Sequence, residues 1–497
     1  MSSEAESAES IVSRAAHGER TMLASHLVRV LCKVASVLVL ARLVAPAEHG
    51  LYAMAAGVTL LLTYFRDLGL GVAAIQAREL SENQRTSLWW LHVALGVALM
   101  VVTLALIPAA VWFFDEAKLA PLLAAMSASF VFMGISAWPR VLLARELKFA
   151  AINRAETLAI VVSTGAMIAA GGLGAGAYAF VVFLLVLEVL SAVLAWRACA
   201  WRPRGVTAWR HVRPLLRPGL DLMGYNLLAH LAQQLDTLLI GKWFGPHSVG
   251  LYFRSGQILQ LPGQHIATPL TQVMLASLAR LGPAAPAFRA QVRASATLVL
   301  HLALPFSTVC IALPVDVALV LLGREWVEAA PFLRWMGVSA ALLVLTATSH
   351  GLQIATGHTR RLAGLALLAL AANVTALTAA RPFGPEKIAL TLAAANAVLL
   401  GPRLWWSTRG TPVRGRDFAA AFAGPVAVSV AFGLGMAAMA HGGGLDAGAA
   451  RLALASAAGG LAAGVLCLLW RRPRRELGDV WARRPQWSVF SSHRERA

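Results

Sequence analysis

The chain has 497 residues, of which 58% are hydrophobic and only 13% charged, yet its formal net charge is +19. With a mean hydropathy of +0.67, it excludes a water-soluble protein of this size. Such a chain must be solvated by lipid, and each helix that crosses the bilayer needs about 20 mostly apolar residues.

The first stretch, MSSEAESAESIVSRAAHGER, lacks the short apolar core and the cleavage site of a secretory signal. Residues 1–22 are therefore expected to form a cytoplasmic tail, with the first apolar run kept as an anchor. About fourteen apolar runs follow, at 23–45, 50–76, 87–114, 119–138, 155–174, 176–199, 216–242, 247–275, 293–314, 329–355, 361–380, 386–401, 417–440 and 449–470. The expected fold class is thus an all-α polytopic membrane protein.

Charge placement orients it. With the N-terminus in the cytoplasm, 31 of the 43 lysines and arginines fall on the cytoplasmic side and 7 on the other, the asymmetry that positive-inside topology requires. Both termini are expected to be cytoplasmic, in a bacterial inner membrane. The same placement explains the pI of about 11.1 without a nucleic-acid partner: the basic stretches WRPRGVTAWRHVRPLLR and RRPRRELGDVWARRP are cytoplasmic loop and tail.

The sequence repeats itself. LARLVAPAEHGLY (40–52) aligns with IGKWFGPHSVGLY (240–252), matching Pro46 with Pro246, Gly50 with Gly250, Leu51 with Leu251 and Tyr52 with Tyr252 at an offset of 200. A second block, APLLAAMSAS from 120 against APFLRWMGVS from 330, repeats at 210. Corresponding positions are six spans apart, so the copies share one orientation. The expected organisation is an N-lobe of six helices at 23–199, a basic linker at 200–215, a C-lobe of six at 216–401, an accessory helix pair at 402–470 and a basic tail at 471–497, the lobes lying parallel around a central cavity.

Ionisable groups inside spans are costly and face a cavity or a partner. In the first span His26, Arg29, Lys33 and Ser36 share one helical face, and in the seventh Asn226, His230, Gln233 and Asp236 do the same. Arg254, with Arg66 and Asp67 at the end of the second span, are candidates to line the same space. A site richer in Arg and Lys than in carboxylates suits an anion such as pyrophosphate. The bland alternative is structural: Arg29 snorkels to the interface and Lys33 pairs with Asp236 or Asp67. Asp236 is read as neutralising an arginine or as holding a coupling ion, and Glu188 as a weaker candidate of the same kind.

Several signals carry no chemistry. GLGAGA at 172–177 has no strand before it and is a turn rather than a dinucleotide loop. Gly460 and Gly464 suggest close helix packing, and Pro108 and Pro305 kink equivalent spans. The cysteines Cys32, Cys199, Cys310 and Cys467 form no CxxC pair, and no HExxH, GxSxG or Walker A sequence is present, so no metal, cofactor or catalytic residue is expected.

LARLVAPAEHGLYAM, then RDLGLGVAAIQ, then LDTLLIGKWFGPHSVGLYFRSGQILQLP and REWVEAAPFLRWM, resemble bacterial polysaccharide transporters, the Wzx-type oligosaccharide flippases of the multidrug, oligosaccharidyl-lipid and polysaccharide exporter superfamily. The resemblance covers most of residues 20–400. It implies a transporter rather than an enzyme, moving an undecaprenyl-pyrophosphate-linked oligosaccharide to the periplasmic face by alternating access for lipopolysaccharide, capsule or exopolysaccharide synthesis. Implied partners are that lipid, the surrounding membrane lipids, a polysaccharide polymerase and glycosyltransferases. A multidrug antiporter of the same superfamily and a membrane enzyme of polysaccharide assembly are the alternatives; the second would need a large periplasmic loop that the sequence lacks.

Overall fold

A computed structural model describes residues 24–66, 70–76, 80–205, 213–281, 287–356, 359–442 and 446–469. Among these residues every regular element is a helix: α1 (Ala24–Leu43), α2 (Pro46–Thr63), α3 (Leu70–Gln76), α4 (Glu82–Phe114), α5 (Leu119–Ser127), α6 (Ser129–Arg145), α7 (Phe149–Gly172), α8 (Tyr178–Ala198), α9 (Arg213–Pro262), α10 (Thr268–Leu281), α11 (Ala287–Ala312), α12 (Pro314–Val317), α13 (Ala330–Ala355), α14 (Thr359–Ala380), α15 (Pro385–Thr408), α16 (Gly415–Gly442) and α17 (Ala449–Leu469). Eleven described stretches are helical, long and apolar enough to cross a membrane. The runs expected at 50–76, 216–242 and 247–275 contain α2 and α3, the first arm of α9, and its second arm with α10, but are not among the eleven. The protein is a multi-pass all-α membrane protein.

The helices divide into two compact units, Met1–Phe253 and Arg254–Ala497. In the first, α1 and α2 are separate helices because Ala45 is extended (φ −64°, ψ 153°) and Pro46 opens α2, a first-turn position where the missing N–H costs nothing. The second repeat copy has the same device: α9 is interrupted at Gly245, whose φ of 75° and ψ of −177° favour glycine, and Pro246 resumes the helix. The two resumed helices meet backbone to backbone. A Cβ on Gly50 would stand 1.7 Å from the carbonyl oxygen of Pro246, and one on Gly250 would stand 1.8 Å from that of Pro46. This reciprocal contact explains why Pro and Gly are shared by the copies, and it packs residues 246–250 on residues 46–50 within the first unit.

Around this crossing, Leu40 and Val44 of α1 pack with Met167 of α7 and with Ala179 and Phe180 of α8. The GLGAGA segment is the turn from α7 to α8, where the Glu48 carboxylate accepts the backbone N–H of Ala177 at 2.9 Å and so satisfies a donor at the start of α8. A second core joins α3, α4 and α6 through Leu70, Ala74, Leu88, Trp138 and Leu142.

In the second unit α10, α11, α13 and α16 share a core of Met274, Leu278, Phe288, Val292, Leu352 and Phe418. The last two helices cross closely, but not through the glycines expected. Gly460 and Gly464 have open space where a Cβ would go, whereas one on Gly459 would stand 2.5 Å from the Phe432 carbonyl oxygen, and one on Gly435 would stand 2.9 Å from that of Ala458. The contact stripe of α17 therefore lies one residue earlier than the GxxxG pattern indicates. The pair is tied down by Asp316 of α12, which is 0% exposed. Its two oxygens accept from Arg451 Nε at 2.9 Å and Nη2 at 2.7 Å, and Oδ1 also accepts the Gly448 N–H at 2.8 Å. A two-pronged guanidinium–carboxylate pair is the strongest of the common ionic contacts, and this one joins the accessory pair to the rest of its unit.

Removing one partner from such a pair leaves an uncompensated charge, at a cost of about 3–5 kcal/mol. Arg451→Ala, which leaves the Asp316 carboxylate at 0% exposure without its counter-ion, is expected to lower the thermal midpoint of the detergent-solubilised protein, and Arg451→Ala with Asp316→Ala to recover part of the loss. A scanning-fluorimetry trace in which the single and double variants lose equally would rule out the ionic anchor.

Candidate functional site

Of the sequence-predicted polar residues, Arg254 belongs to the second unit and the others to the first. On α1 the Leu27 and Leu31 side chains are exposed, as suits a lipid-facing stripe, and Arg29, Lys33 and Ser36 are half-buried away from it. Arg29 reaches across to α7, donating through Nη1 to Glu156 at 3.1 Å and through Nη2 to Asn153 at 3.3 Å. Its charge is thus balanced by a carboxylate that the sequence reading did not select. Ser36 donates to the Cys32 carbonyl of its own helix at 2.6 Å, and His26 is exposed near the start of α1.

Asp236 is enclosed by its own chain. One oxygen accepts the Thr237 N–H at 2.7 Å and the other accepts the Tyr252 hydroxyl at 2.5 Å. Tyr252 belongs to the repeated Gly-Leu-Tyr, so the hydrogen bond spans the break at Gly245 and links the two arms of α9. The partners of Asp236 shown by these contacts are a phenol and a backbone amide, not an arginine. Asn226, His230 and Gln233 lie in the first arm of α9, but their side chains are outside the described residues, as is Asp67.

A second set of charges surrounds α8. Glu188 is 8% exposed, and its electrostatic partners are Arg140 of α6 and Arg66, which follows α2. Arg140, Glu156 and Ser191 line one narrow cleft among α6, α7 and α8. Two carboxylates and three arginines are therefore gathered in the first unit, where the sequence reading had named Arg29, Arg66 and Glu188 without connecting them.

In the second unit, Arg254 is 2% exposed and donates through Nη1 to the Gln257 carboxamide at 2.6 Å. A separate polar cluster lies between α13 and α15. Arg403 donates to Asn396 at 3.1 Å, Gln353 donates to Ser407 at 2.5 Å, and His350 interacts electrostatically with Arg403. At the repeat offset of 210, His350 is the counterpart of Arg140. Arg140 and Arg403 escape the sequence reading for one reason: the apolar run of the fourth span ends near 138 and that of the twelfth near 401, so hydropathy places both in loops. The helices continue to Arg145 and Thr408, and the positions beyond the apolar run still face their neighbours.

With basic and acidic groups embedded in both units of a helical membrane protein, comparison with known proteins becomes decisive. A family described as "Polysaccharide biosynthesis protein" matches residues 39–331. The chain belongs to this family. The match takes in both Pro-Gly-Leu-Tyr segments and Arg254. Among its relatives, the teichuronic acid biosynthesis protein TuaB of Bacillus subtilis (strain 168) is 23% identical over 294 residues, 59% of this chain and 61% of that protein. The lipopolysaccharide biosynthesis protein WzxC of Escherichia coli (strain K12) is 25% identical over 245 residues, 49% of this chain and 50% of that one. The chain thus spans between half and three-fifths of the length of these two relatives. In fold it is similar to the lipid II flippase MurJ in its inward closed conformation, with a TM-score of 0.73, 12% identity, and coverage of 90% of this chain and 98% of that one. That likeness establishes the fold of the polysaccharide-biosynthesis chain.

A half-buried carboxylate that loses its hydroxyl donor keeps part of its desolvation cost without the compensating bond, a loss of about 1 kcal/mol. Tyr252→Phe is accordingly expected to reduce the thermal midpoint in detergent, and an unchanged midpoint would show that the Asp236 contact carries no stability.

Proposed function

We propose that the chain is a flippase that carries a polyprenyl-pyrophosphate-linked oligosaccharide from the cytoplasmic to the periplasmic face of a bacterial inner membrane, by alternating access and without a catalytic step. Both termini are cytoplasmic, and the two six-helix copies, 23–199 and 216–401, work as lobes of the transporter, with 402–470 as an accessory pair. The cargo comes from cytoplasmic glycosyltransferases and is handed to a periplasmic polymerase. Membership of the polysaccharide biosynthesis family and the MurJ-like fold support this reading.

The observation that carries it is Arg254, a guanidinium held at 2% exposure in a helix of a membrane protein, with Nη1 oriented by the Gln257 carboxamide. A cation kept inside a membrane protein at such cost marks a pathway or a ligand, and the guanidinium fork suits phosphate oxygens. Arg29 and Lys33 supply further positive charge on α1, and Glu156 offsets that of Arg29. His26, Asn226 and Gln233 are proposed as contacts to the sugar, and Asp236, Asp67 and Arg66 as ionic or ion-coupling positions. A multidrug antiporter with cationic substrates has no comparable use for these cations.

Each charge-assisted contact to phosphate is worth about 1.5–3 kcal/mol. In liposomes reconstituted with the purified protein and a fluorescent polyprenyl-pyrophosphate oligosaccharide, Arg254→Gln and the Arg29→Ala, Lys33→Ala double variant are each expected to slow translocation by at least about tenfold. Rates equal to those of the parent protein, with folding intact, would refute the assignment.

A further inference from the structure

A groove on the first unit lies outside everything assigned above. It has a volume of about 410 Å³ and runs between α6 and α8, walled by Phe132, Ile135, Val189, Val193 and Trp196, with Arg197 and Arg202 among its lining residues. That volume is comparable to one long acyl chain. Among the described residues that line it, none is a carboxylate. The apolar walls come from one helical turn after another, whereas the arginines are gathered at the end where α8 stops and the basic linker begins.

The arginine end is built rather than incidental. The Trp196 indole N–H donates to the Ile135 carbonyl at 3.1 Å, which fixes the ring across the two helices. Arg202 lies over that ring, 5.1 Å from its centroid, and Trp201 stacks beside it at 6.3 Å. Arg202 also donates to three backbone carbonyls, those of Cys199 at 2.5 Å, Trp201 at 2.8 Å and Trp196 at 3.1 Å. These acceptors carry no formal charge, so they orient the guanidinium and leave its positive charge to act on something else. Two of them belong to the last turn of α8 or its cap, where carbonyls lack helical partners. The side chain is thus held in place before any ligand arrives, which removes most of the ordering cost of binding. Arg197 is exposed, and so is Arg204, two residues after Arg202 in the chain.

We propose that this groove is a binding site for an anionic glycerophospholipid, one acyl chain lying along Val189, Val193 and Phe132 and the phosphodiester resting on Arg202 and Arg197. An apolar slot ending in a cluster of arginines matches the two chemically distinct ends of such a lipid, and basic pockets between membrane helices on the cytoplasmic side are suited to anionic headgroups. The site belongs to α6 and α8 and does not include Arg29, Lys33 or Arg254, so it is separate from the proposed cargo contacts. Its leaflet follows from the proposed orientation, but the binding itself does not depend on that orientation.

The test is native mass spectrometry and thermal shift of the full-length protein in a neutral detergent, titrated with phosphatidylglycerol, phosphatidylcholine or polyprenyl phosphate. The expected result is saturable retention of phosphatidylglycerol and a rise in thermal midpoint, weakened on the order of fivefold for each arginine removed in Arg197→Gln, Arg204→Gln and Arg202→Gln. The Arg197→Gln, Arg204→Gln double variant leaves the Arg202 stack intact and serves if loss of Arg202 impairs folding. Val193→Trp fills the slot, keeps every arginine and is expected to abolish retention with no change in the lipid-free midpoint. Equal retention by the parent protein and these variants, equal affinity for phosphatidylcholine, or a preference for polyprenyl phosphate would each overturn the proposal, whatever the outcome of the translocation assay.

Discussion

The crossing of Pro46–Gly50 with Pro246–Gly250 is the constraint on which the first unit depends. Two helices that meet through side chains stay about 8–10 Å apart, but here the Cβ positions of Gly50 and Gly250 point at the partner's backbone oxygen. Only glycine fits, and it fits twice, because each copy of the repeat supplies both the proline carbonyl and the gap that receives the other. The breaks at Ala45 and Gly245 follow from this: a straight helix from Ala24 to Thr63 could not turn its second half onto its counterpart. The Asp236–Tyr252 hydrogen bond then holds the angle of the second break, since its ends lie on either side of Gly245.

Charge placement obeys a second rule. An ion in an apolar bundle is expensive unless it is paired, and the bundle answers differently at each position. Asp316 meets Arg451 in a fork and serves cohesion. Arg29 meets Glu156, and Glu188 has Arg140 and Arg66 as electrostatic partners. Arg254 and Arg403 instead meet the carboxamides of Gln257 and Asn396. A carboxamide satisfies a donor while carrying no charge of its own.

Much of this was legible in the sequence. The helical class, the fourteen apolar runs and the repeat came from spacing alone, and Pro46, Gly50 and Tyr52 stood out because apolar helices seldom share such residues by chance. What escaped was register and partnership. Gly460 and Gly464 looked like the packing stripe of α17, but the crossing angle brings Gly459 to Phe432. Arg140 and Arg403 were assigned to loops because hydropathy falls where polar residues begin, whereas a helix continues as long as its backbone bonds are made. Glu156 gave no signal of its own, since pairing with a residue 127 positions earlier is set by how α1 lies on α7. Asp236, expected beside a cation, proved to have a tyrosine partner from the repeated motif.

The crossing itself is open to a direct measurement. Gly50→Ala and Gly250→Ala, alone and together, can be compared by reversible unfolding in detergent. Each single substitution is expected to cost about 1–3 kcal/mol, because the added methyl meets backbone that cannot step aside. The double variant should cost little more than either single one, a coupling of about 0.5–3 kcal/mol, since one separation of the helices relieves both clashes. Losses that simply add, or single variants as stable as the parent protein, would contradict a shared backbone contact between the two copies.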